Sequence, residues 1–269
     1  MGKFDGVLLA TDFDDTFCPA SLVVPRVNLE AVEYFKSQGG IFTIATGRAC
    51  RTFAPQLHQA PVNAPVVLSN GAQLYDFQRK EVLVENTLPE ATVAADLEEL
   101  TARRPELSVE VYNGDEVYIW NPNPWTWYHI RRAGVTPVEC PIAQMPQPWS
   151  KAILQHDYEI LLPAQADILE HWPDRYEAIF SNFHMLELTA KGATKGGMVL
   201  ELARRLGISR ENLYCAGDNQ NDLPMLEVSA IPFAPANCAQ EVKDSGAHLL
   251  PPCEEGAIAA LIEVLDKRY

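Results

Sequence analysis

The feature that most constrains the fold of this chain is a short apolar run that ends in a cluster of aspartates. Residues 7–10 are all apolar, and Asp12, Asp14 and Asp15 follow directly. A buried parallel strand has this character, because both of its faces are covered and its carboxyl end delivers polar residues to the edge of the sheet. The pattern therefore predicts a parallel β-sheet with a polar site at the ends of its strands.

The same alternation of strand and helix recurs on both sides of a long interval, residues 84–182. Residues 27–38 carry apolar side chains at helical spacing, and Gly39 and Gly40 end the helix before the next strand. Further elements of this alternation are predicted as strands at residues 41–45, 66–68 and 213–216 and as helices at residues 196–206 and 255–265. Alternating strands and helices favour an α/β fold with a doubly wound parallel sheet.

The interval itself has a different pattern. Residues 84–182 contain alternating polar and apolar stretches between helical segments, which is typical of an inserted α+β domain. The prediction is therefore a core formed by residues 1–83 and 183–269, interrupted by that insert. The stretches at 121–128 and 137–149 are rich in proline and are predicted as loops of the insert.

Charge and cysteine spacing limit the classes of partner and of site. The formal net charge of −15 argues against broad attraction to nucleic acid or to an anionic membrane face. The six cysteines have no CxxC spacing, which favours reduced thiols over a zinc site or a disulfide framework. The sequence has no leader-like segment and no apolar run of about 20 residues. We therefore expect a cytoplasmic protein with neither a nucleic-acid nor a membrane partner.

Carboxylates at alternate positions follow the first predicted strand. In an extended segment Asp12 and Asp14 point to the same side, and Thr16 adds a hydroxyl two residues further on. Two such carboxylates repel each other by about 1 kcal/mol in water and about 4 kcal/mol near a protein surface, so they call for a proton or a cation. An ionised carboxylate can attack a substrate, and a protonated partner can donate a proton. The alternative is a helix cap or a surface turn.

Two further clusters predict a site for an anion. Thr46, Gly47 and Arg48 follow the second strand, where the glycine lets backbone amides approach an anion. An ordinary turn from strand to helix is the alternative. Lys195 opens a predicted helix, where a cation opposes the helix macrodipole, so a bound anion explains its position better than helix stability does. The alternative for this residue is a solvated lysine.

The segment after the strand at residues 213–216 predicts a metal site. Gly217 is followed by Asp218, Asn221 and Asp222, which offer oxygen ligands and no sulfur or imidazole nitrogen. Ligands of this kind favour Mg²⁺ over zinc or copper. A capping turn is the alternative.

These four clusters, in this order along the chain, resemble the four motifs of the haloacid dehalogenase-like superfamily. The insert between the second and third motifs resembles the α/β cap of C2 type in the Cof-type members of that superfamily. The sequences at residues 69–72 (SNGA) and 217–226 (GDNQNDLPML) are also similar to the Cof type. The resemblance therefore covers nearly the whole chain.

The resemblance implies a magnesium-dependent phosphatase that acts on a small phosphorylated metabolite, such as a sugar phosphate. It implies that Asp12 is the nucleophile and forms an aspartyl phosphate, and that Asp14 protonates the leaving oxygen and then deprotonates water. Thr46 and Lys195 would hold the phosphoryl oxygens. The residues implied in phosphate binding are Thr16, Gly47, Arg48, Asn70 and Asn221. Those implied at the Mg²⁺ site are Asp12, the backbone carbonyl of Asp14, Asp218 and, in support, Asp222 with Asn221.

The chain departs from the family pattern at Asp15, where the family usually has glycine. Aspartate is among the residues best able to adopt a positive φ, so we expect the turn to survive and the extra charge to lie near the metal. The sequence leaves open a phosphotransferase or mutase on the same scaffold and, from another class, a non-catalytic sensor of phosphorylated metabolites. It also leaves open the oligomeric state and the residues of the insert that select the substrate. The candidates there are Trp125, Trp127, Tyr128, Arg131, Arg132, Trp149 and Lys151, each of which could equally be core or surface.

Overall fold

The chain divides into two units in the structure, a computed structural model that describes residues 2–269. The first unit takes in the chain up to Arg48 together with Phe53–Val84 and Thr194–Tyr269. The second, which we call the inserted unit, takes in Ala49–Thr52 and Glu85–Ala193. The chain returns to the first unit after Ala193 and not at residue 183, because the strand at Met185–Ala190 pairs with a strand of the inserted unit.

The strands that lead to the aspartate clusters are buried along their whole length. This holds for the first strand and for the strand that precedes Gly217. In chain order the strands are β1 (Leu8–Thr11), β2 (Ile41–Ile44), β3 (Val66–Leu68), β4 (Gln73–Asp76), β5 (Glu81–Glu85), β6 (Ser108–Asn113), β7 (Glu116–Trp120), β8 (Val138–Glu139), β9 (Lys151–Gln155), β10 (Tyr176–Asn182), β11 (Met185–Ala190), β12 (Leu213–Ala216), β13 (Pro232–Pro235) and β14 (His248–Leu250).

The residues that flank a helix can cap it at both ends, as they do for Lys195–Leu206. Thr194 accepts a hydrogen bond from the N–H of Gly197 at the start of one helix, and Gly207, with φ of 68°, ends the same helix. In chain order the helices are α1 (Arg26–Ser37), α2 (Cys50–Phe53), α3 (Val93–Arg103), α4 (Pro124–Ala133), α5 (Tyr158–His171), α6 (Lys195–Leu206), α7 (Leu223–Val228), α8 (Gln240–Asp244) and α9 (Ala257–Arg268). Among the described residues, no helix has the length and apolar character that crossing a membrane requires.

The first unit is built on a five-stranded sheet that is parallel throughout. Its strand order is β14-β13-β12-β1-β2, so β1 lies between β12 and β2. Apolar side chains of β1 and β12 form one cluster with those of α6 and α7, while α1 and α9 pack on each other and against outer strands of the sheet. Helices therefore cover both faces, and the predicted doubly wound α/β fold is confirmed. The smaller sheet β3-β4-β5 joins this unit through a parallel bridge between Ala45 and Val67.

The inserted unit is built on a six-stranded sheet with the order β10-β11-β9-β6-β7-β8. Its neighbouring strands run antiparallel except for β7 and β8, which are parallel. One face of the sheet packs α3 and α5 into an apolar core around Trp149, Leu154 and Leu188. This arrangement is the α+β domain that the alternating pattern predicts.

The other face of this sheet carries buried polar side chains. Tyr112 and Gln155 both donate hydrogen bonds to the carboxylate of Glu110, at 2.6 and 2.9 Å. Beside them the Lys151 ammonium group lies 2.8 Å from the Glu187 carboxylate. Alternation along β6, β9 and β11 puts these side chains on one face, opposite the apolar core. The charged groups are paired, as burial requires.

The predicted loop at residues 121–128 is wrong from Pro124 onward, where α4 begins. Asn123 caps this helix by accepting hydrogen bonds from the N–H groups of Trp125 and Thr126, and the Thr126 hydroxyl accepts one from the N–H of Asn123. Proline is favoured at the first position of a helix, because its missing N–H has no partner there in any case. Pro124, which the sequence pattern assigns to a loop, is therefore the first residue of a helix.

Candidate active site

Asp12 lies directly after β1, which runs between β12 and β2 in the parallel sheet. Its N–H donates to the carbonyl of Ala216 at 2.8 Å, so the ladder between β1 and β12 continues to this residue. Only 6% of Asp12 is exposed. The first polar side chain after a strand buried between two neighbours emerges at this edge, which is how the local sequence fixes its position.

Lys195 brings a buried ammonium group to Asp12 from the first position of α6. Its Nζ donates hydrogen bonds to Oδ1 of Asp12 at 2.6 Å and to Oδ1 of Asp222 at 2.7 Å, and only 1% of the residue is exposed. The start of α6 also packs closely on Gly71, whose φ is 98°: a Cβ there would lie 2.1 Å from the carbonyl oxygen of Thr194. Glycine at position 71 therefore lets the two backbone segments meet.

Asp222 supports the loop that follows β12. Its Oδ2 accepts hydrogen bonds from the N–H groups of Asp218 and Asn219 at 2.9 and 3.0 Å, while its Oδ1 faces Lys195. Gly217 makes room for this arrangement, because a Cβ there would lie 2.3 Å from the Cβ of Asp222. Both oxygens of Asp222 are thus engaged within the protein.

Burial and crowding of like charges disfavour ionised carboxylates in this cluster. Burial raises the pKa of Asp12 well above its ordinary value, Lys195 opposes the rise, and Asp222 and Asp218 add to it. Burial and then the charge of Asp222 raise the pKa of Asp218 to about 7. Although burial lowers the pKa of Lys195, the charges of Asp12 and Asp222 raise it overall, so this side chain is an ammonium ion. One ammonium ion therefore lies among three acidic side chains, and two of them, Asp12 and Asp222, accept its hydrogen bonds.

The chemistry of these carboxylates fits Mg²⁺. Oxygens of Asp12, Asp218 and Asp222 all lie within 4.8 Å of one another. Oxygen ligands suit Mg²⁺, and a divalent cation relieves the repulsion that raises the pKa values of the acids. Thr16 donates a hydrogen bond of 2.7 Å to Oδ1 of Asp218 and fixes that carboxylate. Asp12 and Asp218 are the acids that could hold such an ion directly, because both oxygens of Asp222 already have partners within the protein.

The Asp14 carboxylate is paired with Arg48. Arg48 donates hydrogen bonds from Nε to Oδ2 of Asp14 at 2.8 Å and from Nη2 to Oδ1 at 2.6 Å, so the two side chains form a bidentate (two-pronged) ion pair. The Arg48 guanidinium also lies over the ring of Phe13, 5.5 Å from its centroid. The N–H of Arg48 donates to the hydroxyl oxygen of Thr46 at 3.1 Å, and Thr46 is fully buried. Arg48, predicted to bind phosphate, is thus paired with an acid.

The remaining predicted phosphate-binding residues lie around Asn70. Oδ1 of Asn70 accepts a hydrogen bond of 3.1 Å from Nδ2 of Asn221. The N–H of Asn70 donates to the carbonyl of Thr46 at 3.0 Å, and a Cβ at Gly47 would lie 3.2 Å from the Asn70 amide group. Asn70 has φ of 55° and Ser69 has φ of 49°, a left-handed pair that turns the loop after β3 toward these neighbours.

Asp15 adopts a positive φ of 60°, as expected for the position where the family pattern has glycine. Its charge adds to the rise in the pKa of Asp218. The carbonyl of Asp15 accepts a hydrogen bond of 2.8 Å from Nδ2 of Asn237, a residue that the motifs do not single out. Asn237 follows β13, so the rule that locates Asp12 applies to it as well. Because proline is uncommon within strands, the prolines at both ends of β13 keep the sequence pattern from predicting a strand there.

A sequence model of the haloacid dehalogenase-like hydrolases matches residues 9–262 of this chain. The chain belongs to the haloacid dehalogenase-like hydrolase family. Since the match runs from β1 to α9, it takes in the aspartate clusters and the inserted unit alike, and the resemblance carried by the motifs is confirmed.

Relatives of this hydrolase include phosphatases with named substrates. The 5-amino-6-(5-phospho-D-ribitylamino)uracil phosphatase YwtE of Bacillus subtilis is 23% identical, over 96% of this chain and 97% of its own. The HMP-PP phosphatase of Escherichia coli is 24% identical, over 90% of this chain and 88% of its own. The solved structure of a sugar phosphatase of haloacid dehalogenase subclass IIB has a TM-score of 0.85 at 20% identity and covers 97% of this chain and 99% of its own. The likeness in fold therefore extends over nearly the whole hydrolase.

The candidate specificity residues of the inserted unit differ in exposure. Trp149 and Lys151 are buried, and Lys151 is paired with Glu187, so the surface alternative is wrong for both residues. Trp125 stacks on His184 with ring centroids 3.4 Å apart. The other candidates are exposed: Trp127, Tyr128, Arg131 and Arg132.

Proposed function

We propose that this hydrolase is a magnesium-dependent phosphatase that removes the phosphoryl group of a small phosphorylated metabolite through an aspartyl phosphate on Asp12. The observation that carries the proposal is the buried contact of Lys195 with Asp12 and Asp222, beside Asp218. In a member of a hydrolase family, this joins a nucleophile to the positive charge that an anionic substrate needs. The phosphatase names of the relatives support the same reaction class.

Asp12 and Asp14 divide the chemistry between them. A carboxylate oxygen of Asp12 attacks the phosphorus, the bond from phosphorus to the leaving oxygen breaks, and Asp14 gives that oxygen a proton. Asp14 then takes a proton from a water molecule whose oxygen attacks the phosphorus of the aspartyl phosphate. The bond from phosphorus to Asp12 breaks, and inorganic phosphate leaves. Each residue thus returns to its starting state.

The phosphoryl group needs positive charge and hydrogen-bond donors. Lys195 supplies an ammonium ion at the nucleophile, and the Thr46 hydroxyl and the Asn70 amide lie in the adjoining cluster. Mg²⁺ held by Asp12 and Asp218 would supply charge neutralisation to the phosphoryl oxygens. Asp222 keeps Lys195 and the Asp218 loop in place through its two occupied oxygens. We also propose a cytoplasmic enzyme, in keeping with its free cysteines.

The deciding experiment is a screen of phosphorylated metabolites with the full-length protein, with Mg²⁺ and after exhaustive chelation. Magnesium-dependent release of inorganic phosphate, absent in Asp12→Asn, is the expected result. Transfer of the phosphoryl group to an added alcohol without phosphate release would instead identify a phosphotransferase. Binding of a phosphorylated metabolite with no turnover by the Mg²⁺-loaded protein would identify a sensor.

A further inference from the structure

The pair of Arg48 and Asp14 lies within the first unit and is locked from both sides. The backbone of Arg48 is held by two hydrogen bonds, from its N–H to the Thr46 hydroxyl and from the N–H of Ser69 to its carbonyl, at 3.1 and 3.0 Å. Its guanidinium lies over the Phe13 ring. The side chain therefore reaches Asp14 from an anchored backbone and along an aromatic face, and it does not extend freely into solvent.

The geometry of the pair fixes the orientation of the Asp14 carboxylate. Two parallel hydrogen bonds, one to each oxygen, prevent the carboxylate from rotating about its Cβ–Cγ bond, which a single point charge would allow. The pair is partly buried, with 20% of the Arg48 side chain and 34% of the Asp14 side chain exposed. Arg48 thus covers one edge of the Asp14 carboxylate. The lone pairs of Asp14 that Arg48 does not use therefore have fixed directions.

We propose that Arg48 is a positioning residue that aims the Asp14 carboxylate, and that it is not primarily a ligand of the phosphoryl group. This inference rests on the proposed phosphatase reaction, in which Asp14 gives a proton to the leaving oxygen and takes one from water. Both transfers need an oxygen of Asp14 within hydrogen-bond reach and in line with the reacting oxygen. Arg48 holds that oxygen in place for both steps.

The variant Arg48→Lys separates the two roles. Lysine keeps the positive charge and binds phosphate well as a point charge, but it cannot make the two-pronged contact with a carboxylate. Glycerol phosphate and p-nitrophenyl phosphate serve as probes, because glycerol needs a proton to leave whereas p-nitrophenolate does not. The ratio kcat/KM reports the phosphorylation of Asp12, and kcat also includes the hydrolysis of the aspartyl phosphate.

Positioning predicts that Arg48→Lys lowers kcat at least about 10-fold on both probes, because the water step always needs Asp14. It lowers kcat/KM by a similar factor on glycerol phosphate and leaves kcat/KM on p-nitrophenyl phosphate within about 2-fold. In an Asp14→Ala background, Arg48→Lys causes no further loss on either probe. The matched control is Arg104→Lys, which alters a pair with Asp167 of similar exposure and leaves both parameters unchanged.

Three outcomes would overturn the inference, and they are distinct. Equal losses of kcat/KM on both probes that persist in Asp14→Ala would make Arg48 a phosphate ligand. Unaltered kinetics of Arg48→Lys, with a melting temperature equal to that of the wild type, would leave Arg48 with no role in the reaction. Failure of the wild type to turn over either probe or any metabolite of the screen would remove the proposed function itself, and this inference with it.

Discussion

The Nζ atom of Lys195 lies 2.6 Å from Oδ1 of Asp12, although the two residues are 183 positions apart in the sequence. The parallel sheet creates this contact, because Asp12 directly follows β1 while α6 begins at Lys195 and packs on the same sheet. Each residue alone is unfavourable where it lies: an acid is buried, and a cation stands at the start of a helix. Together they make a buried ion pair whose disruption should be visible in both activity and stability.

Replacing Asp12 by Asn should lower turnover by several orders of magnitude, because the amide cannot form the phosphorylated intermediate. The amide oxygen can still accept the hydrogen bond from Lys195, so the fold should persist. The measurement is steady-state phosphate release beside a thermal melt. Near-normal turnover in a folded Asp12→Asn protein would exclude the covalent route through this residue.

Replacing Lys195 by Met should cost about 3–5 kcal/mol of the free energy of unfolding at about pH 8, because it leaves Asp12 and Asp222 buried without their cation. Urea unfolding in the presence of a chelator measures this cost. The control is Lys191→Met, which removes a solvent-exposed partner of Glu177 and should change stability by about 1 kcal/mol or less. Equal effects of the two substitutions would show that the buried pair adds no more to stability than the exposed pair does.

Asp218 should make the metal-free protein less stable as pH rises. Its pKa of about 7 in the fold lies above its ordinary value of 3.8, so the folded state binds its proton more tightly than the unfolded state does. The contribution of Asp218 to the free energy of unfolding is fully present below about pH 4 and is lost as pH rises toward 7. Because other groups also titrate, the informative quantity is the difference between wild type and Asp218→Asn in chelator. Between pH 4 and 7 the free energy of unfolding of the wild type should fall relative to that of Asp218→Asn. A difference between the two proteins that does not change with pH would contradict the prediction.

Local pattern was sufficient for the parts of the fold that depend on one short stretch of chain. The apolar run of β1 and the aspartates behind it predict the parallel sheet and the edge at which its polar residues emerge. The helix α4 was missed because proline serves equally at a helix start and in a loop, and only the cap formed by Asn123 and Thr126 decides between them. The strand β11 was missed because its pairing with β9 is a relation between distant segments.

The same limit applies to the candidate site. Motif spacing predicts which residue types lie at the strand ends, but it does not predict which group each side chain contacts. Arg48 could equally face a phosphate or a carboxylate, and the choice of Asp14 depends on where β1 and β2 lie in three dimensions. Asn237 binds the backbone of Asp15 from far along the chain, and its own neighbourhood carries no motif. Long-range contacts of this kind require the folded chain.

Replacing Glu187 by Gln should destabilise the protein by about 3–5 kcal/mol, because it removes the negative charge that lies 2.8 Å from the buried Lys151 ammonium group. The double variant Lys151→Met with Glu187→Leu should recover most of this loss, since apolar side chains of similar volume can replace a buried ion pair at little cost. Glu33→Gln, which alters the more exposed pair with Lys36, is the control and should cost about 1 kcal/mol or less. Urea unfolding of these three variants and of the wild type gives the comparison. If Glu187→Gln cost no more than Glu33→Gln while Lys151→Met raised KM for the best metabolite of the screen, the lysine would belong to substrate binding and not to the stability of the inserted unit.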